Sequence, residues 1–136
     1  MPEKSEPTAE HTALRQERDM LLQFFHVSPV SQFVKDRNGR YVMVNTRFAR
    51  ALQQERDQIV GKTDDELFTA EIAESLRAND RQVLSASTAV EFEEVAMLPD
   101  GRHVYHSIKF PIVDAQGQII AIGGMSVDIT NHVARE

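Results

Sequence analysis

The chain has no cysteine, which excludes disulfide staples and any metal held by thiolates. No apolar run approaches the roughly 20 residues that a membrane-spanning helix needs. The opening Met-Pro-Glu-Lys-Ser-Glu-Pro lacks the features of a secretory signal. A cytoplasmic location is therefore the expectation. Basic residues are not gathered anywhere: 15 Lys and Arg lie scattered among 21 Asp and Glu, for a net charge of -6. Such a chain has no electrostatic footprint for nucleic acid, whose phosphates need clustered cations. There is no internal repeat, no long low-complexity segment, no nucleophile elbow and no phosphate-binding loop; Gly123-Gly124 is too isolated to cradle a phosphate. These absences point away from an enzyme.

What remains is a 136-residue chain with 41% hydrophobic residues, enough for one domain with its own core. Residues 1–7, with two prolines and alternating charge, read as a disordered lead. Residues 8–27 turn to helix formers, with Thr8 as a cap and Leu14, Leu21 and Phe25 near one side. That stripe fits either packing on the chain's own domain or a two-helix dimer seam. Leu14 and Leu21 are one heptad apart, too little for a coiled-coil assignment.

Ser28-Pro29 ends this helix, because the proline ring disfavours helical geometry at the preceding residue. Strands are expected over 31–35 and 40–45, joined by the turn formers Asp36-Arg37-Asn38-Gly39. Asn45 stands where a helix over 46–54 begins and is its natural cap. A short helical piece over 65–68 and an amphipathic helix over 70–84 follow. The acidic run Asp64-Asp65-Glu66 suits a helix start, where the dipole favours negative charge. Residues 90–97 form a third strand, which Pro99-Asp100-Gly101 turns into a fourth over 103–113. Asp114-Ala115-Gln116-Gly117 then turns into a fifth over 119–129. Three helical pieces between two strands and three more cannot be a tight hairpin, so they must cross one face of the sheet. The result is an α+β domain with a five-stranded antiparallel sheet, helices over one face and an added N-terminal helix.

The ordered set Asp36-Arg-Asn-Gly-Arg40, Val44-Asn45, Val60-Gly-Lys-Thr63, Pro99-Asp-Gly101 and Asp128-Ile-Thr130 resembles PAS domains, sensory modules of bacterial signalling proteins such as sensor histidine kinases and diguanylate cyclases. The resemblance covers residues 28–130 and implies the strand order 2-1-5-4-3. It also implies that Asp128, Ile129 and Thr130 join the last strand to an output helix beginning in residues 131–136 and leading to a C-terminal effector. Two cofactors can be pruned. The photosensory light-oxygen-voltage class needs a cysteine for its flavin adduct, so that chemistry is impossible here. Haem-binding relatives commonly use a histidine on the long helix, and residues 70–84 contain none.

A cleft between sheet and helices is where a small ligand would lie. Alternation nominates Phe33, Val44, Phe48, Leu52, Leu76, His106 and Ile108 as its lining, each of which is equally an ordinary core residue. The fourth strand is read with Val104, His106, Ile108 and Phe110 facing the core, and with His103, Tyr105, Ser107 and Lys109 turned away. A buried His106 needs a partner, and Glu94 or a ligand's carboxylate or carbonyl could serve. His103 and His106 point to opposite faces and cannot share a metal, so no metal site is expected. The leading expectation is a catalytically inert sensor, homodimeric, that passes ligand or partner occupancy through its terminal helices. The alternative is a ligand-free dimerisation and protein-interaction module.

Overall fold

A computed structural model describes Glu6 and residues 8–133. The expected disordered lead and the last three residues of the expected output helix fall largely outside that range. Helix α1 (Ala9–Val27) is followed by strands β1 (Ser31–Asp36) and β2 (Tyr41–Val44). Four helices come next: α2 (Thr46–Leu52), α3 (Arg56–Ile59), α4 (Asp64–Leu67) and α5 (Ala70–Ala86). Strands β3 (Val90–Leu98), β4 (Gly101–Val113) and β5 (Ile119–Asp128) complete the sheet, and α6 (Thr130–Val133) leaves it. The sheet is antiparallel throughout, in the order β2-β1-β5-β4-β3.

The turns form for the reasons the side chains suggest. Asp36 Oδ1 accepts from the amides of Asn38 and Arg40, and Asp114 Oδ1 does the same for Gln116 and Gln118. Gly39 and Gly117 supply the positive φ that closes each turn. Between β2 and β3 the sequence suggests three helical pieces, but there are four. The extra one, α3, is a single turn held by a capping box in which Glu55 and Gln58 exchange hydrogen bonds.

Asn45 does more than cap α2. Its Oδ1 accepts from Phe48 N at 3.0 Å and Gln32 N at 3.1 Å, while Nδ2 donates to Phe25 O at 3.0 Å and Val30 O at 2.8 Å. One fully buried amide thus ties the end of α1, the start of β1 and the start of α2 together.

Helix α1 itself buries no residue. Leu14 and Leu21 of the stripe are more than half exposed, as are Met20, Phe24 and Val27, while Phe25, near the helix end, is half-buried, so only the last turn of the stripe packs on the domain that follows. The core lies instead between the sheet and α2–α5. Phe33, Tyr41 and Phe48 form a triangle of rings with centroids 5.3–5.9 Å apart, enclosed by Val44, Leu52, Ile59 and Leu98.

Candidate functional site: a small cavity and a clasp at the chain's exit

Two lysines stand on the core face of the sheet. Strand β1 alternates Ser31, Phe33 and Lys35 inward; β4 does the same with Tyr105, Ser107 and Lys109. Lys35 and Lys109 are each 1% exposed. Such burial is tolerated only where carboxylates receive the charge. Lys35 Nζ lies 2.5 Å from Asp64 Oδ2 and 2.8 Å from Asp80 Oδ2. Lys109 Nζ lies 3.1 Å from Asp80 Oδ1 and 2.6 Å from Glu94 Oε2. Asp80, on α5, therefore bridges both ammonium groups. Tyr41 donates its hydroxyl to Asp64 Oδ1 at 2.6 Å, and Asn79 donates to Glu94 Oε2 at 2.9 Å.

Burial alone would lower the Lys35 ammonium, but the charges of Asp64 and Asp80 outweigh it and hold the group above its ordinary value. The Tyr41 phenol is pushed well up by burial and then by Asp64, so it remains a donor. The Phe33 ring lies beside both cations, with its centroid 5.6 Å from Lys35 Nζ and 5.8 Å from Lys109 Nζ. That ring reaches β5 because Gly124 has no side chain; a Cβ there would overlap it.

Beside this cluster is a cavity of about 60 Å³. It is well short of the ~150 Å³ that admits benzene, yet several times the ~10–15 Å³ one water requires. Aromatic and aliphatic side chains make most of its wall, and Lys35, Glu94, Ser107, Lys109 and Ser126 supply polar groups. The Ser107 and Ser126 hydroxyls bond each other across β4 and β5 at 2.8 Å. The cavity shares Ser31, Ala51, Leu98, Tyr105 and Ser126 with a larger hollow of about 340 Å³, bordered by Arg47, Arg50, His103 and Asp128. Tyr105 stands between the two, its phenol pushed up to about 12 by burial and by Asp128.

The larger hollow borders the joint where the chain leaves the sheet. His103 Nδ1 is 2.7 Å from Asp128 Oδ2, and its Nε2 is 2.7 Å from Asp100 Oδ1. An imidazole between two carboxylates donates from both nitrogens only when protonated. Those two hydrogen bonds raise the His103 pKa above 6.5. Asp128 Oδ1 in turn accepts from the amide and hydroxyl of Thr130, and the Thr130 Oγ1 accepts from Val104 N at 3.0 Å. Burial pushes the Asp128 carboxyl up, but the Thr130 hydrogen bonds and His103 hold it below its ordinary value. The peptide between them is pinned too, since Ile129 N donates to Val104 O at 2.8 Å. A clasp of four side chains thus fastens α6 to β4.

Of the nominated lining residues, Phe33, Phe48, Leu52 and Leu76 border the cavity. Val44 is buried in the aromatic core but does not reach the cavity wall. His106 and Ile108 are corrections: they lie on the opposite face of the sheet. His106 has a side chain 45% exposed and its nearest carboxylate is Glu91, at 3.7 Å, rather than Glu94. The expected orientation of β4 is inverted over residues 105–109. Counting apolar residues chose the face with more of them, whereas a lysine met by carboxylates can be buried along its aliphatic stem. Lys35, Lys109, Asp64 and Asp80 were missed for the same reason, and Glu94 was assigned to His106 rather than to Lys109. The available signal was that Lys35 follows the nominated core residue Phe33 at a spacing of two; Lys109 gave none, because Ser107 before it was read on the outer face.

The PAS fold family's sequence profile matches residues 25–134, and the chain belongs to that family. Two curated relatives carry the similarity into signalling proteins. The chain is 33% identical over 99 residues to the methanogenesis regulatory histidine kinase FilI of Methanothrix harundinacea, covering 73% of this chain and 11% of that protein. It is 31% identical over 104 residues to a diguanylate cyclase of Vibrio cholerae, covering 74% of this chain and 32% of that one. The chain thus spans about a tenth and a third of these relatives. Among solved structures it superposes on VqmA of Vibrio cholerae, in a ligand-DNA complex, with a TM-score of 0.73 and 25% identity over 87% of this chain and 57% of that one. Among the described residues, no helix is long and apolar enough to cross a membrane.

Proposed function

We propose that this PAS domain is a catalytically inert sensor. It binds a small ligand in the cavity beside Lys35 and Lys109, and passes occupancy to the clasp at Asp128-Ile129-Thr130 and so to an effector. The observation that carries this reading is the shared wall: Tyr105 and Ser126 border the cavity and also the hollow that reaches His103 and Asp128. A ligand that moves Tyr105 acts directly on the neighbourhood of the clasp. It shifts the exit helix only to the extent that it binds one arrangement better than the other. The relatives named for kinase and cyclase activity, and the ligand in VqmA, support sensing as the role and signalling as its setting.

A second reading rests on α1. Its uncovered apolar residues suit pairing with α1 of a second copy, making the domain a homodimer whether or not the cavity is filled. Native mass spectrometry of the purified chain separates the two. A copurified small molecule, released on denaturation, is the result expected for the sensor. A dimer with an empty cavity, in which no added ligand alters hydrogen exchange at residues 129–133, would leave only the dimerisation module.

A further inference from the structure

The clasp at the exit turns on one ring. Among the described residues, His103 is the one histidine with a carboxylate on each ring nitrogen, Asp128 on Nδ1 and Asp100 on Nε2, both at 2.7 Å. Asp100 comes from the turn between β3 and β4 and Asp128 from the end of β5, so three segments meet on the imidazole. Two N–H donors exist only on the imidazolium. The neutral ring keeps one and turns a lone pair toward a carboxylate oxygen, a contact that must open.

Whichever nitrogen gives up the proton, the hold on Asp128 weakens. If Nδ1 is bared, its hydrogen bond is gone; if Nε2 is bared, Asp100, 63% exposed, swings into water, and Asp128 keeps a donor that has lost its positive charge. That matters because Asp128 has two tasks. Its Oδ2 rests on His103, and its Oδ1 accepts from the amide and hydroxyl of Thr130, the first residue of α6. Anchored through Oδ2, the carboxylate has one orientation; unanchored, it can rotate away from Thr130 into the outer hollow that it borders.

The surroundings leave the outcome to these groups. Arg47 and Arg50 of α2 also line the hollow and oppose the proton, but both are exposed and screened, and neither pairs with Asp100 or Asp128 among the described residues. Tyr105, stacked on His103 with centroids 6.1 Å apart, is kept neutral by burial and by Asp128. Arg102 precedes His103 on β4 and points to the other face, the facing residue on β3 is the uncharged Ala96, and α6 adds His132.

We infer that His103 makes the domain a reader of pH: its proton keeps Asp128 seated on Thr130 and α6 docked on β4, and its loss lets α6 come away. This rests on α6 being the outlet, as proposed above, but needs no ligand in the cavity. The two hydrogen bonds raise the His103 pKa above 6.5, so the proton's contribution to docking is fully present below about 6.5 and is lost as pH rises through the folded value. Asp128 is held below the ordinary carboxylate range and stays charged throughout that interval. By linkage, undocking α6 must in turn weaken the ring's hold on its proton.

Amide hydrogen exchange in the full chain measures the docking. Ile129 N donates to Val104 O and Thr130 N to Asp128 Oδ1, so their protection factors, which already correct for the intrinsic pH dependence of exchange, report on α6. A fall of about threefold or more is expected between about pH 6 and about pH 8.5, equivalent to about half a pKa unit between docked and free α6. In His103→Gln, whose amide donates at every pH, the fall should shrink to within about 1.5-fold. His106 and His132 remain in the variant, so their titration does not produce the difference. If the variant does not fold, the wild-type ring resonances decide, because the loss of protection must follow the His103 titration. Protection that is flat with pH, that falls equally in the variant, or that follows the His132 ring instead would overturn the pH reading. None of these outcomes touches ligand sensing, which the copurified molecule tests, so the two readings fail separately.

Discussion

The chain holds two ionic assemblies built from similar groups, and they behave in opposite ways. At the cavity, Lys35, Lys109 and their three acids are almost wholly buried, so charges are fixed and each needs its partners to exist there at all. At the exit, His103 and Asp128 keep side-chain exposures of 21% and 31%, and the cation is a histidine whose charge changes near neutral pH. The inner assembly is suited to holding one shape. The outer one is suited to being undone.

Asp80→Ala tests that contrast most severely. It takes one of its two carboxylates from each lysine at once, and breaking a buried pair typically costs about 3–5 kcal/mol. Against an ordinary domain stability of about 5–15 kcal/mol, this should show as a large fall in the denaturation midpoint. A change under about 1 kcal/mol would mean the inner cluster is not the rigid partner of the comparison. Asn45→Ala comes next. It leaves two buried amides and two carbonyls without their partner, and a loss of about 3 kcal/mol is expected in the same measurement.

The pH response separates the assemblies without disrupting either. The folded pKa of His103 is raised, so its contribution is fully present below about 6.5 and disappears as pH rises through the folded value. Asp128 is depressed, so its contribution is present above the ordinary carboxylate range and is lost as pH falls through its folded value. The clasp should therefore be tightest in mildly acidic solution. Thermal melts of the wild type and His103→Gln should differ most near pH 6 and converge in alkaline buffer. A gap that stays constant across that range would place the clasp among the fixed assemblies. The smallest effect belongs to His106→Leu: a half-exposed position on the far face of the sheet should change stability by no more than about 0.5 kcal/mol and leave cavity probes unaffected.

Much of the scaffold was legible because its causes are local. Asp36-Arg-Asn-Gly and Asp114-Ala-Gln-Gly make their own turns, and Asn45 and Thr8 supply oxygens to amides three residues ahead. The order of the strands came from the resemblance alone, since nothing in a period of two says which strand lies beside which. The interior of the site was illegible because its causes are distant. Lys35 is buried on account of acids 29 and 45 residues further along, and Lys109 on account of Asp80, 29 residues back. Without those partners a lysine reads as solvated, and β4 was turned over accordingly. The failure to bury α1 has a similar origin: an apolar stripe in a sequence says that something covers it, but not what.

The fourfold attachment of Asn45 has a mechanical corollary. The carbonyl of Phe25 and the amide of Phe48 meet on the same side chain, so the long leading rod and the helix carrying Phe48 and Leu52 share one rivet. A torque delivered along that rod would arrive at the chamber wall within the length of a single amide group, so under the proposed sensor reading the front of the polypeptide would serve as an input shaft to match the outlet proposed at its back.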